Sequence, residues 1–200
     1  MAFREPYLTH NQTQCDWIKK NHPELKVIAY RDMLPAKGII IQDNIVSHFQ
    51  QSLYGFKPHA IQKAIDYGFK KVIWLDPSVL PQEPLDGVFK ALDTHPILVR
   101  KGDNPLAKMT NQRALDWFGC GDISGVNHIG GTIYAFNFDN PKAKEVFNIW
   151  KLAEESGIFG NQDAFMAGHW ADESCMVLAL HKCGVEQVAV ELKYLNQKEL

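Results

Sequence analysis

Short runs of apolar residues alternate along this chain with longer segments in which apolar residues recur every three or four positions. The short runs predict strands, and they lie at residues 25–30, 38–41, 71–76, 97–100 and 131–138. Alternating apolar residues at 188–194 predict a last, half-exposed strand. The run at 71–76, KVIWLD, is apolar between its charged ends, so we expect a central strand that is covered on both faces.

Helices are predicted between these strands, at residues 58–68, 84–92, 141–155 and 172–183. The third of them follows Asn140 and has a proline in its first turn, which favours a capped helix start. Because strands alternate with helices, we expect an α/β fold. A chain of 200 residues without a repeat or linker predicts a single domain that covers residues 1–200.

Charge and composition then exclude several classes of protein. The net charge is -2 and no basic run is present, so we expect no nucleic-acid partner. No apolar run is long enough to cross a bilayer and the first residues do not resemble a signal peptide, so we expect no membrane segment and a cytoplasmic location. The four cysteines form no CxxC pair, which favours reduced thiols. The pattern leaves the oligomeric state open.

The run VIWLDPSVL raises the first question of function, because it ends an apolar strand on the carboxylate of Asp76. A buried carboxylate is costly unless it is paired or bound to a metal. Ligands collect beyond the carboxyl ends of strands in open α/β sheets. Asp76 and Ser78 could therefore hold a hard cation there. The alternative is a turn around Pro77 that the two side chains only cap.

Three further stretches carry polar groups that suit a site. In VNHIGGTIYAFN, Gly130 and Gly131 would let a ligand approach the backbone, or would form a bulge at the start of a strand. FGNQDAF, with Asp163, is a candidate site element or a plain loop. In GHWADES, the side chains of His169, Trp170, Asp172 and Glu173 could hold a sugar, or Asp172 could cap the next helix.

Taken in order, these stretches resemble the GT-A-type glycosyltransferases. Lys57 and Pro58 open a helix that leads to VIWLDPSV, and HIGGTIYAFN, NQD and HWADES follow. In that family, a helix that begins with Lys-Pro commonly precedes a strand ending in a DxD motif. A Gly-Gly strand and a D-Q or H-x-x-D/E element come later. The likeness covers residues 56–184 and is closest to compact single-domain forms, some of which large DNA viruses encode.

The resemblance implies a fold, a cofactor and substrates. The fold would be a central mixed, mostly parallel sheet flanked by helices. A divalent cation, Mn²⁺ or Mg²⁺, would neutralise the diphosphate of a UDP-sugar donor as the sugar moves to a glycan or glycoprotein acceptor. We expect Asp76, Ser78 and His169 at the metal, Lys57, Gly130, Gly131 and Trp170 at the donor, and Asp172, Glu173 and Asp163 as catalytic carboxylates. Arg100 is a further candidate for a phosphate contact.

Two departures from the family pattern keep other functions open. The motif here is D-P-S, which lacks the second carboxylate of DxD, and only residues 3–8 are available for the family's first strand. A sugar nucleotidyltransferase is one alternative, although that class usually has a Gly-rich phosphate loop near its N-terminus and residues 1–20 show none. The other alternative is a catalytically degenerate module that binds a nucleotide or a glycan.

Overall fold

A computed structural model describes residues 7–29, 40–42, 45–47 and 52–197; for 40–42, 45–47 and 162 only the backbone is described. The helices are α1 (Tyr7–Asn21), α2 (Phe56–Asp66), α3 (Asp86–Ala91), α4 (Gln112–Phe118), α5 (Pro141–Glu155), α6 (Gln162–Met166) and α7 (Ala171–Lys182). The strands are β1 (Ile40–Gln42), β2 (Ile45–Ser47), β3 (Lys71–Leu75), β4 (Val79–Pro81), β5 (Ile97–Pro105), β6 (Asn127–Asn137), β7 (Val188–Ala189) and β8 (Tyr194–Asn196). A short 3-10 helix, Leu106–Lys108, follows β5.

The main sheet has the strand order β3-β6-β5-β7. Strand β6 is antiparallel to both β3 and β5, and β5 is parallel to β7. The fold is therefore α/β with a mixed sheet, as predicted. The prediction of mostly parallel pairing is wrong, because two of these three pairings are antiparallel. The segment that connects β5 to β6 begins and ends at the same end of the sheet, so β6 runs in the opposite direction to β5.

The helices follow their predicted positions more closely than the strands do. Helix α5 has the predicted bounds, and α2, α3 and α7 lie within a few residues of theirs. The predicted strand at 188–194 is instead two short strands, β7 and β8, with β8 paired to β4. Tyr7 and Leu8, counted with the family's first strand, lie in α1, and residues 3–6 are outside the described part of the chain.

Strand β3 is at the edge of the main sheet among the strands described, and not at its centre. Of its side chains only Trp74 is fully buried. The predicted strand at 25–30 is not formed over the described residues 25–29, and its last residue lies outside them. Residues 24–28 and strand β3 both line a cavity of about 350 Å³, and no strand pairing joins these two described segments.

Helices cover both faces of the sheet. One face packs on α2, α5 and α7, in a core that includes Trp150, Phe147 and Phe136. The other face packs on α3 through Val88 and Leu98. Among the described residues, none of the helices combines the length and the apolar character that crossing a membrane requires. This layered packing fixes the starts of α2 and α7 beside the ends of β3 and β6, where the candidate site lies.

Candidate functional site

A buried lysine is at the centre of the site. The side chain of Lys57 is 3% exposed, and its Nζ donates to Asp172 Oδ2 and to the Gly131 carbonyl oxygen, both at 2.8 Å. Asp76 Oδ1 is 3.6 Å from the same nitrogen. The ring of Tyr54 lies 4.8 Å from Nζ, close enough for a cation–π contact. The predicted donor residue Lys57 is thus bound inside the protein, where it joins the ends of three elements.

Asp172 is the main partner of this lysine. It is 1% exposed, and its Oδ2 also accepts a hydrogen bond of 2.9 Å from the Tyr134 hydroxyl. Burial lowers the pKa of Lys57, but the carboxylates of Asp172, Asp76 and Glu173 outweigh this effect and leave the pKa above its ordinary value. The lysine is therefore charged at neutral pH, and Asp172 forms a buried ion pair with it.

The first turn of α7 holds both Asp172 and Glu173, and its backbone is anchored from two sides. Trp150 Nε1 of α5 donates to the Asp172 carbonyl oxygen at 2.9 Å. The Met109 carbonyl oxygen accepts hydrogen bonds from the Trp170 backbone N–H and from the Ser174 hydroxyl. Between these anchors Ala171 has a φ of 39°, a backbone conformation that residues other than glycine rarely adopt. Packing holds this strained turn in place, and the turn directs the two carboxylates toward β6.

Strand β6 meets these carboxylates at Gly131. The Gly131 backbone N–H donates to Glu173 Oε1 at 2.6 Å. A Cβ at this position would lie 2.8 Å from Asp172 Oδ2, from Glu173 Cγ and from Glu173 Oε1, so only glycine fits without a shift. The ladder with β5 is irregular here, because Val99 pairs with Tyr134 while Arg100 pairs with Gly130. The two glycines lie within β6 beside this register shift, and the backbone of Gly131 is already bonded to Glu173 and Lys57. A role for the glycines in donor binding stays a prediction.

Glu173 differs from Asp172 because it reaches the surface and faces a histidine. Its side chain is 18% exposed, and its Oε2 lies 3.4 Å from His128 Nε2. Burial and the neighbouring Asp172 raise the pKa of Glu173 to about 8, against the opposing effects of Lys57 and the Gly131 N–H. Burial lowers the pKa of His128 to about 4. Near neutral pH most of the Glu173 carboxyl is protonated, and its pKa lies close enough to the pH for it to exchange a proton, which suits acid–base chemistry.

An exposed indole borders this carboxyl. Trp170 is 37% exposed, and its ring meets the His128 ring edge to face at 5.6 Å between centroids. Phe165 lies on the other side of Trp170, with ring centroids 5.3 Å apart. Trp170 thus lies next to the catalytic candidates, and part of its side chain is exposed, so that a ligand could contact it.

The three candidate metal ligands are each buried or bonded to other groups of the protein. Asp76 Oδ1 accepts a hydrogen bond of 2.8 Å from Trp74 Nε1, and the turn after it is closed by a backbone bond from the Val79 N–H to the Asp76 carbonyl oxygen. Ser78 is buried, and its carbonyl oxygen is bonded to the Gln197 N–H. His169 is also buried, with Nε2 at 2.9 Å from the Ile158 carbonyl oxygen.

A divalent cation does not fit this arrangement as a cofactor held by the protein. Within the described part of the chain, no group of three or more His, Cys, Asp or Glu residues is arranged to hold a metal ion. Asp76 provides a single carboxylate, and the Lys57 ammonium already lies beside it. Metal binding by Asp76, Ser78 and His169 stays a sequence prediction.

Asp163 is not among the residues that converge. It is exposed in the first turn of α6, 3.5 Å from the Asn161 amide, in a position that suits a helix N-terminus. Gly130 borders the site through Arg100, whose side chain lies across it and whose guanidinium is 3.4 Å from the Thr132 hydroxyl. The exposed Arg100 is a cation at the same end of the sheet.

From the sequence, His128 was either a ligand or a polar residue satisfied inside the fold, and Tyr134 was missed. Tyr134 lies in an apolar strand, and a buried tyrosine usually needs a partner for its hydroxyl, which was an available signal. For His128 the signal was its position two residues before the paired glycines. Neither signal could name the partners Asp172 and Glu173, which are 38 and 45 residues away along the chain.

Comparisons with known proteins give little beyond this geometry. No protein-family model matches the chain, and no curated protein matches it significantly. Among solved structures, the chain is similar to the crystal structure of mouse xyloside xylosyltransferase 1 in its apo form, with a TM-score of 0.44 and 8% sequence identity. The match covers 92% of this chain and 60% of the mouse protein's chain.

Proposed function

We propose that this protein transfers a sugar from a nucleotide-sugar donor, which is UDP-linked, to a hydroxyl of a glycan or glycoprotein acceptor. One observation supports this function above the others. Lys57, Asp172, Glu173 and Asp76 converge at one end of the sheet, next to the half-exposed ring of Trp170. Carboxylates beside an open aromatic ring suit the handling of a sugar hydroxyl.

In this proposal the two adjacent carboxylates have different roles. Asp172 is buried and bound by both Lys57 and Tyr134, so we assign it to positioning the site. Glu173 is partly exposed and has a raised pKa, so it is the candidate base for the acceptor hydroxyl. General base catalysis of this kind typically contributes about 10²–10⁴-fold to the rate.

The donor diphosphate would lie on the Arg100 side of the site. Arg100 is exposed beside Gly130 and Thr132, and the Thr132 carbonyl oxygen binds the Asp76 N–H, so this cation borders the end of β3. A guanidinium matches the geometry of phosphate oxygens through paired N–H donors. No step of the proposal uses a divalent cation.

Calorimetry with UDP tests the donor assignment. The protein is titrated with UDP in the presence of Mn²⁺ and again with the metal chelated, with GDP and CMP as controls. Binding confined to UDP supports the assignment, and its response to chelation decides whether a metal takes part. Absence of binding by all three nucleotides contradicts it.

Turnover then tests the chemistry. Release of UDP from a UDP-sugar, by transfer or by slow hydrolysis, is compared between the wild type, Glu173→Gln and Glu191→Gln. We expect Glu173→Gln to reduce turnover by about 10²-fold or more with little change in UDP affinity. Glu191→Gln is the matched control, because Glu191 is an exposed glutamate outside the site. Equal loss in both variants would contradict the role of Glu173.

A binding module without turnover is the second candidate. It is favoured by the mutual neutralisation of Lys57 and Asp172, which resembles a structural ion pair as much as a catalytic one. Such a module would bind UDP or a glycan and release no UDP from any UDP-sugar. The same turnover measurement therefore separates the two functions.

A further inference from the structure

Two buried polar atoms of the site face each other without a hydrogen-bond partner. They are His128 Nε2 and Glu173 Oε2, and they are 3.4 Å apart. The other carboxyl oxygen, Oε1, is fixed by the Gly131 N–H at 2.6 Å, so the direction of Oε2 is set by the backbone of β6. His128 is 5% exposed, and its ring is held against Trp170. Buried polar atoms in native proteins are generally paired, so this pair calls for an explanation.

The charges around the pair decide where protons lie. Asp172 of the same helix and Asp76 at the end of β3 disfavour the ionised form of Glu173. Lys57 of α2 opposes them, but its ammonium is bound to Asp172. The Tyr134 hydroxyl is also directed at Asp172. Burial keeps the His128 ring neutral at the same time. A neutral carboxyl thus faces a neutral imidazole.

We propose that Glu173 and His128 share one proton, which Glu173 Oε2 carries and which it donates to His128 Nε2. His128 then has its own ring proton on Nδ1. In this arrangement both unpartnered atoms become paired after a movement of a few tenths of an ångström. His128 is a positioning residue: it acts through Glu173, and it favours the protonated carboxyl because it accepts a hydrogen bond from that form alone.

The inference rests on the proposed function for its consequence in catalysis. When the acceptor oxygen bonds to the sugar carbon, its O–H bond breaks and the proton moves to Glu173 Oε2. The bond from the sugar carbon to the donor phosphate oxygen breaks, and the diphosphate leaves with that electron pair. His128 Nε2 stabilises the newly protonated carboxyl, so it makes Glu173 a stronger base. The active form is the pair without its proton, and the rate should rise with pH through about 8.

Carboxyl carbon NMR on the unliganded protein tests the shared proton without any need for turnover. We expect one carboxyl signal that titrates near pH 8 in the wild type and is missing in Glu173→Gln. In His128→Phe, which keeps an aromatic ring against Trp170, the pKa of that signal should fall by about 0.5 to 1 unit, since a hydrogen bond of about 1 kcal/mol is lost. His181→Phe, the same substitution at the exposed far end of α7, should leave it unchanged.

Nitrogen NMR of the wild type gives a second measurement that needs no variant at His128. We expect the neutral tautomer with the proton on Nδ1 and an accepting Nε2. A proton on Nε2, or a Glu173 signal that titrates near 4, would overturn the proposal. An unchanged pKa in folded His128→Phe would also overturn it. If the shared proton is found but the protein neither binds UDP nor consumes a UDP-sugar, the proposed function fails and the proton sharing stands.

Discussion

The carboxylate of Asp172 shows how strongly one residue of this site depends on its partners. It is buried, and it is bound by the Lys57 ammonium and the Tyr134 hydroxyl. We expect Asp172→Asn to lower the free energy of unfolding by about 3–5 kcal/mol, because it leaves the buried ammonium without its main counterion. Urea unfolding measures this change. Asp163→Asn, on an exposed residue, should stay within about 0.5 kcal/mol of the wild type. A similar small effect at Asp172 would contradict the buried pair.

Gly131 provides a second test at the scale of single residues. A Cβ here would lie 2.8 Å from atoms of both Asp172 and Glu173, so Gly131→Ala should lower the free energy of unfolding by about 1–3 kcal/mol through overpacking. At the neighbouring Gly130 the nearest atom to an added Cβ is Arg100 Cδ at 3.1 Å, on an exposed and flexible side chain. Gly130→Ala should therefore be nearly neutral, and equal losses in the two variants would contradict the close approach at Gly131.

The residue types of the site could be predicted from the sequence. Which carboxylate forms the buried ion pair, and which one remains the candidate base, could not. Asp172, Glu173 and Lys57 stood out because they lie in recognisable stretches beside helix starts. Which carboxylate is neutralised depends on Lys57, which is 115 residues from Asp172. A contact over such a separation leaves no local pattern. The contact between His169 Nε2 and the Ile158 carbonyl oxygen also left no local pattern, and a role of His169 at a metal stays a prediction.

At the scale of elements, helices were easier to predict than strands. The apolar spacing within α5 reports its packing directly, because one side of that helix faces the core. Helix α7 is buried on all sides from Ser174 to Leu180, and its acidic start and the glycine after its end mark its bounds. A strand also depends on its neighbours, which a single run of residues does not specify. KVIWLD therefore lies at an edge of the described sheet despite its apolar sequence, and residues 25–29 remain without strand pairing.

The cavity beside β3 gives a prediction at this scale. Ala64 of α2 lines the cavity and is 6% exposed. We expect Ala64→Leu to raise the free energy of unfolding by about 1–2 kcal/mol, because the added carbons gain contacts in empty space. Ala143→Leu in the packed core around α5 should lower it by about 1–3 kcal/mol. Urea unfolding of both variants tests the contrast, and a loss at Ala64 as well would show that the cavity is filled.

At the scale of the whole molecule, the raised pKa of Glu173 connects the candidate site to the stability of the fold. Burial and Asp172 raise the pKa of Glu173 from its ordinary value of 4.5 to about 8 in the folded protein. Between these two values the folded state holds one proton more than the unfolded state. Raising the pH through this window therefore favours the unfolded state, and the contribution of Glu173 is fully present only below about 4.5.

Glu173→Gln removes this dependence because an amide does not titrate in the window. We expect the variant to gain stability relative to the wild type as the pH rises from about 4.5 to 8, and the difference to level off above that range. Urea unfolding at a series of pH values measures it. Glu191→Gln, at an exposed residue, serves as the control for loss of one carboxylate and should follow the wild type at every pH. A constant difference between Glu173→Gln and the wild type would mean that Glu173 is ionised in the folded protein. The free energy of unfolding would then not depend on the titration of this carboxyl.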